Sequence, residues 1–314
     1  MSLRQKLKEA YYNNKCIEFF LGPVKNLYDF YRYNLITDEY FTKIEFKRNF
    51  GYDLDLNNPR TLNEKIQWLK LKERTKLQTI CADKIAVRDY VTIKVGKEIL
   101  IPIYKQIENI NDLNTNNVPN EPFIIKTNHD SGSYKIIKDK NNVDWSFIRS
   151  YFVKALKNNF YNKTKEWQYK NIEPKIFLEK LLISKTGGSP DDYKFHCFNG
   201  KVEFISIDRH RGTEKHTRNW YDKNWNIAEF YWSSINQVGK ETLPSKIQIP
   251  PPPNLMKMIK IANKLSEDFK YVRVDLYLIN NDIFFGELTF HHDSGFRPII
   301  PSIWDLKLGN LIQL

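Results

Sequence analysis

The stretch YVRVDLYLINNDIFFGELTF, from Tyr271 to Phe290, constrains this chain more than any other. Apolar and polar residues alternate on either side of a polar break, which specifies an antiparallel hairpin. Val272, Val274, Leu276 and Leu278 share one face, and Arg273, Asp275, Tyr277 and Ile279 share the other. On the return, Ile283, Phe285, Glu287 and Thr289 share a face. A three-residue loop of Asn280, Asn281 and Asp282 sets Ile279 opposite Ile283, Asp275 opposite Glu287 and Arg273 opposite Thr289. A two-residue loop would put the two carboxylates on opposite faces. The three-residue register is the expectation here. It brings two acids within about 5 Å, where like charges destabilise a sheet. Two remedies stay open: a hard divalent cation such as magnesium, or one acid paired with Arg273 and the other left in solvent.

The chain of 314 residues, 41% hydrophobic with 20 Phe, 18 Tyr and 7 Trp, can bury a sizeable core divided over two or three lobes. Its composition excludes a disordered tail. The formal charge of +12 implies an anionic partner or a Lys-rich solvated surface. Cys16, Cys81 and Cys197 are far apart and form no CxxC pair, so neither a zinc site nor a disulfide framework is expected. No run reaches the ~18 apolar residues of a membrane span, and the start lacks the pattern of a signal peptide. The aromatic stretch CIEFFLGPVKNLYDFYRY (Cys16–Tyr33) either packs on the body or lies on a membrane surface or a partner, with Phe19, Phe20 and Leu21 inserted and Arg4, Lys25 and Arg32 facing phosphates.

Thr61 and Glu64 stand in capping-box spacing before Leu62, Ile66 and Leu69, which recur at helical intervals. A second helix is expected from near Asp83 to just before Gly96. PFIIK and PKIFLEKLLI read as strands, VDWSFIRSYFVKALKNNF and PNLMKMIKIANKLSEDF as helices. YKFHCFNGKVEFISID reads as a hairpin turning at Asn199-Gly200. The polar run Asn109–Pro122 looks like a lobe boundary, and the proline run in QIPPPPN like a stiff spacer. Helices and strands mix without βαβ alternation, which points to an α+β fold.

Lys126 ends a strand and directly precedes TNHDSGS, a loop of small and polar residues whose backbone amides can approach an anion. No GxxxxGK[ST] run is present, so this is not a Walker A loop. Glu179-Lys180 interrupts an apolar strand, where it either meets a purine and ribose or forms an edge salt pair. Arg209 and Arg211, with His216 and Arg218, make a basic cluster fit for an anionic sugar or a carboxylate, or a solvated loop. His291 and His292 adjoin Asp293 and Ser294. Adjacent residues of a strand point oppositely, so at most one histidine serves the site, and His292 and Ser294 are carried as substrate candidates. No Ser/His/Asp or Cys/His arrangement is recognisable.

The order of these features, with TLNEKIQWLKL, DKIAVRDYV, DYKFHCFNGK, YVRVDLY and FGELTF…SGF, resembles the ATP-grasp superfamily, and more narrowly its TupA-like branch, over roughly Asn57 to Leu314. That resemblance implies two α+β lobes gripping ATP, with an N-terminal helical extension (1–55), an N-terminal lobe (56–120), a lid subdomain (121–182) and a catalytic subdomain (183–314). Lys84 and Lys126 would contact phosphates under a lid loop that includes His129, Ser131, Gly132 and Ser133. Glu179, Lys180 and Leu182 would hold adenine and ribose, and Asp192 and Lys194 would reach the phosphates. Asp275 and Glu287 would hold Mg2+, and Arg273 would stabilise an acyl phosphate. Thr289 stands where the superfamily often has Asn, which puts a second metal position in doubt. The implied reaction is ATP-dependent amide formation between a carboxylate-bearing sugar or glycan of a surface polysaccharide and an amine such as an amino acid. The expected setting is cytoplasmic, with peripheral contact at the anionic inner face of the membrane. Asp275→Asn and Glu287→Gln are then expected to remove turnover and spare the fold. Two other function classes compete with this one. A glycosyltransferase needs a DxD-like metal motif, which Asp208 fits poorly. A nucleic-acid-binding module needs aromatics interleaved with Lys and Arg, which the chain lacks, so no nucleic acid is expected.

Overall fold

The computed structural model describes residues 22–24, 27–184, 187–234 and 241–314. Phe19, Phe20, Leu21, Arg4 and Lys25, named above as surface contacts, lie outside the described residues. Helix α1 (Asp38–Phe50) is capped by the Thr37 side chain and stops at Gly51, whose φ of 81° suits a residue without Cβ. Helix α2 (Leu62–Lys72) has the anticipated capping box of Thr61 and Glu64. The helix expected from near Asp83 forms only from Val87, as α4 (Val87–Val95), and an unanticipated helix, α3 (Lys76–Ala82), precedes it. Between them the Asp83 carboxylate accepts from the amides of Ile85 and Ala86, an Asx-type turn that competes with helix. A second capping box, Thr75 with Gln78, opens α3 and was the available signal for it.

A four-stranded antiparallel sheet follows. Its strands are β1 (Ile103–Ile107), β2 (Phe123–Thr127), β3 (Tyr134–Ile137) and β4 (Ile176–Lys180), in the order β1-β4-β2-β3. Because β1 pairs with β4, the polar run Asn109–Pro122 joins two strands of one sheet. It is not a lobe boundary, and an N-terminal lobe ending at residue 120 would divide this sheet. Phe123, Ile125, Ile137, Ile176 and Leu178 pack beneath Ile148 and Phe152 of α5 (Trp145–Leu156). The opposite face presents Ile124, Lys126, Tyr134, Ile136, Phe177 and Glu179. A short helix, α6 (Phe160–Thr164), lies between α5 and β4.

The second sheet has five antiparallel strands: β5 (Asp192–Phe198), β6 (Lys201–Arg209), β7 (Thr217–Asp222), β8 (Tyr271–Ile279) and β9 (Asp282–Thr289). Their order is β7-β6-β5-β8-β9. Asn199 and Gly200 turn the β5–β6 hairpin with φ of 47° and 77°. Tyr193, Phe195, Ile205, Ile207, Val274 and Leu276 form the face buried with Met258, Ile261 and Leu265 of α7 (Leu255–Ser266). The final helix, α8 (Ile303–Gly309), packs back on α2 and is anchored by Asp305, which accepts from the Asn63 amide and side chain at 3.0 Å each.

The β8–β9 register corrects the expectation in an instructive way. The loop has two residues, Asn280 and Asn281, both with positive φ (52° and 72°), and Ile279 faces Asp282. Regular pairing from there would split the carboxylates between faces. A bulge between Leu276↔Phe285 and Asp275↔Glu287 takes up one residue, Gly286, and restores the carboxylate pair and Arg273↔Thr289. A Cβ on Gly286 would stand 3.1 Å from the Asp275 carbonyl and 3.1 Å from the Tyr277 ring, which explains the residue found there.

Candidate active site

The inner face of the first sheet meets the charged face of the second across a cleft of about 520 Å³. Lys126 stands here by strand alternation, ion-paired with Glu179, its diagonal neighbour on β4. Lys84, from the turn between α3 and α4, donates to the carbonyl of Asp130, and burial lowers its ammonium pKa from the ordinary lysine value. The loop between β2 and β3 is braced from inside. The Asp130 carboxylate accepts from the Thr127 hydroxyl (2.5 Å) and from Ser133, while the Asn128 side chain binds Asp83 (2.9 Å) and the Glu173 carbonyl (3.0 Å). Ser131 and Gly132 are left exposed at the tip, Gly132 with φ of 102°. Lys180 and Leu182 line the far end of the cleft.

On the second sheet four acids and four bases interlock. Lys194 Nζ contacts Asp192 (2.5 Å), Asp275 (2.7 Å) and Asp208 (3.8 Å). Arg273 forms a fork on Asp275 (2.6 and 2.7 Å) and reaches Glu287 at 3.1 Å. Arg218 forms a second fork on Asp208 (2.6 and 2.9 Å), and Arg211 meets Asp192 at 2.9 Å. Burial opposes the charge on Asp275, but Arg273 and then Lys194 outweigh it and hold the carboxyl below the usual range. Glu287 is the more open acid, its side chain 40% exposed, and Thr289 Oγ1 donates to it at 3.2 Å.

A second cavity of about 360 Å³ adjoins the cleft. Ser131, Arg211, Gly212 and Glu287 border both spaces. Its remaining wall includes Lys194, Arg218 and Arg273 on one side, and Phe160, Glu166, Tyr169, His291, Asp293 and Ser294. Asp275 faces the cleft and Arg273 the second cavity, so their fork bridges the two.

Residues 64–313 match the family model described as TupA-like ATP-grasp. The chain belongs to the TupA-like ATP-grasp family. Among solved structures, this TupA-like chain is similar to D-alanine–D-alanine ligase from Bacillus anthracis complexed with ATP, at 16% identity and TM-score 0.36, covering 67% of this chain and 55% of that one. It is similar to L-amino acid ligase from Bacillus licheniformis at 14% identity and TM-score 0.43, covering 83% and 57%. For D-alanine–D-alanine ligase from Helicobacter pylori the values are 11%, 0.40, 80% and 67%. The chain thus spans little more than half the length of the first two. No curated protein matches it. The family match over residues 64–313 carries the assignment, and with it the ATP-grasp fold.

In this TupA-like chain Lys84, Lys126, Ser131, Gly132, Ser133, Glu179, Lys180, Leu182, Asp192, Asp275 and Glu287 all line the cleft. Lys194, Arg273, Thr289, His216 and Ser294 line the second cavity, and Arg211 borders both. Three expectations fail on position. His129 turns under the loop to the Asn158 carbonyl (3.1 Å) and lines neither space. Arg209 alternates to the other face of β6 and pairs with Asp191 at 3.4 Å. His292 is buried behind Arg273, whose Nη1 donates to its Nδ1 at 2.6 Å, and its ring packs edge-on against Trp232. Burial and then the Arg273 charge keep this imidazole neutral. His291 is the histidine on the cavity wall. Glu166, Tyr169 and Phe160 were missed because FYNKTKEWQY carries neither periodicity nor a motif.

Proposed function

We propose that the protein is an ATP-dependent carboxylate–amine ligase acting on a carboxylate-bearing sugar of a surface polysaccharide. The observation that carries this reading is the Arg273–Asp275 fork joining a nucleotide-sized cleft to a polar second cavity. ATP would lie between the sheets, its phosphates toward Lys84, Lys126 and the loop tip, its adenine and ribose toward Glu179, Lys180 and Leu182. Two carboxylates and a hydroxyl, Asp275, Glu287 and Thr289, form a hard oxygen set suited to magnesium that keeps water and phosphate ligands. Among the described residues no group of three or more His, Cys, Asp or Glu could hold a metal by itself. Bound there, Mg2+ would neutralise phosphate charge.

The donor carboxylate attacks the γ-phosphorus, the bond to ADP breaks, and an acyl phosphate forms. The amine nitrogen then attacks the acyl carbon, and phosphate and one amine proton leave. Arg273 faces the cavity where the negative charge of both steps develops, and Asp275 holds its guanidinium flat and charged. Backbone amides of the loop tip and the two lysines orient the transferring group. Asp208 lines the second cavity and not the cleft, so no DxD-like role is proposed for it.

The net charge of +12 and the exposed Val24, Leu27, Tyr28 and Phe30 support a further element of the proposal, peripheral contact with the anionic inner face of the membrane. No helix of the described residues is long and apolar enough to cross a membrane. The ligase reading is tested with ATP, Mg2+, a panel of uronic acids and hydroxylamine, which traps an acyl phosphate as a hydroxamate. Hydroxamate and ADP in equal amounts are expected. Absence of both across the panel would sink it.

A further inference from the structure

Glu166 is 4% exposed, yet it lines the second cavity. Its oxygens accept from the Ser294 hydroxyl (2.7 Å) and the Gln168 amide (3.0 Å). Among the described residues its only ion-pair contact is His291, whose Nδ1 lies 3.6 Å away. By contrast the acids of the second sheet's charged face are each in contact with Arg or Lys: Asp192, Asp208 and Asp275 with Lys194, and Glu287 with Arg273. Among the described residues no Lys or Arg side chain forms an ion pair with Glu166; the buried Lys70, which donates to the Ser294 carbonyl, acts on it only from beyond contact, a costly arrangement unless a ligand supplies a closer cation. Two aromatic rings of the same segment, Phe160 and Tyr169, line the cavity beside it, packed edge-to-face at 5.0 Å. A carboxylate flanked by aromatic rings is the chemistry that recognises an ammonium group.

We infer that Glu166, Phe160 and Tyr169 form the subsite that takes the ammonium group of the amine substrate, whose first proton passes to the Glu166 carboxylate before the freed nitrogen attacks the acyl carbon. The inference rests on the ligase reading and deepens it by dividing the cavity by charge. Lys194, Arg211, Arg218 and Arg273 favour the carboxylate and the developing acyl phosphate, and the 160–169 segment holds the amine. The same segment is bound to the loop after β9 through Ser294 and His291, so the amine wall is braced against the strand that carries Glu287.

The test separates the two levels. Wild-type hydroxamate formation from uronic acids reports on the ligase reading alone, since hydroxylamine is neutral near pH 7 and needs no ammonium site. Amide formation is then measured with each of the common amino acids and with ammonia. Glu166→Gln keeps the size and removes the charge; its oxygen can still accept from Gln168, and its NH2 can donate to the Ser294 hydroxyl in place of accepting from it. It is expected to raise the KM for the amine about tenfold or more, the scale of one lost charge-assisted contact, while the KM for ATP moves less than about twofold. Phe160→Leu, which does not touch the buried carboxylate, is expected to raise the amine KM in the same direction, and guards against a folding defect in the first variant. Unchanged amine KM in both variants would overturn the subsite. So would a wild-type protein that forms hydroxamate but no amide with any amine of the panel.

Discussion

Asp275 compensates two buried cations, Arg273 and Lys194, and also stands opposite Glu287 where magnesium is proposed. Its two roles predict different outcomes for the paired acids. Asp275→Asn leaves Arg273 and Lys194 short of one counter-charge in a buried setting, which costs about 3–5 kcal/mol. Glu287→Gln alters a half-exposed contact and should cost within about 1 kcal/mol. Both are expected to abolish ADP release. Urea titration alongside the turnover assay checks this, and equal stability of the two variants would contradict the buried network. The expectation from residue types alone, that both substitutions spare the fold, is therefore kept for Glu287 and replaced by an expected loss of stability for Asp275. Residue identity and strand alternation made both acids legible. The pairing of one acid with Arg273 was one of the two remedies the sequence left open, but the burial of Asp275 and its second counterion were not legible, because Lys194 sits 81 positions away in the chain.

Two elements carry the geometry of the site, the bulged β9 and the loop that follows it. Gly286→Val forces branched carbon into the 3.1 Å approach to Asp275 and Tyr277. The strand must part or the bulge must move, so a loss of about 1–3 kcal/mol and a fall in kcat are expected, checked by thermal unfolding and ADP release. The loop is tied down by Lys70 of α2, which is 1% exposed, donates to the Ser294 carbonyl at 3.1 Å and stands over the Phe296 ring. Burial drives its ammonium down to about 7. Between that value and the ordinary 10.5 the unfolded chain holds a proton that the folded chain has released. Stability therefore rises with pH through this window, by at most about 1.4 kcal/mol per pH unit. Lys70→Met removes the effect, and Gln67 still donates to the Ser294 carbonyl at 3.0 Å. Unfolding of both proteins at pH 7 and pH 9 should show the wild type gaining relative to the variant at the higher pH. Parallel behaviour would mean that Lys70 does not titrate there.

At the scale of the molecule, α1 is bound to the body through Asp38, which meets Arg74 (2.6 Å) and Tyr161 (2.7 Å), while Val24, Leu27, Tyr28 and Phe30 stay exposed. Deleting residues 1–30 should spare ADP release and abolish co-sedimentation with phosphatidylglycerol vesicles, and salt should release the full chain. Equal, negligible sedimentation of both proteins would refute membrane contact. The chain's own pattern determined much of this architecture. Alternation specified the strands, Thr61 with Glu64 specified a helix start, Asn199-Gly200 specified a turn, and the ordered motifs carried the family resemblance later shown by the match over residues 64–313. These are local signals, each complete within a few residues. The register of β8 and β9 was reached for the wrong reason, because loop length is local while the compensating bulge is settled by packing against Asp275 and Tyr277. Only tertiary structure set Lys126 against Glu179, turned His291 rather than His292 to the cavity, and brought Glu166 to Ser294 across 128 positions. Periodicity reports which side of an element meets solvent. Which charge finds which partner depends on how the two sheets and the 160–169 segment close on one another, and no window of the chain contains that contact.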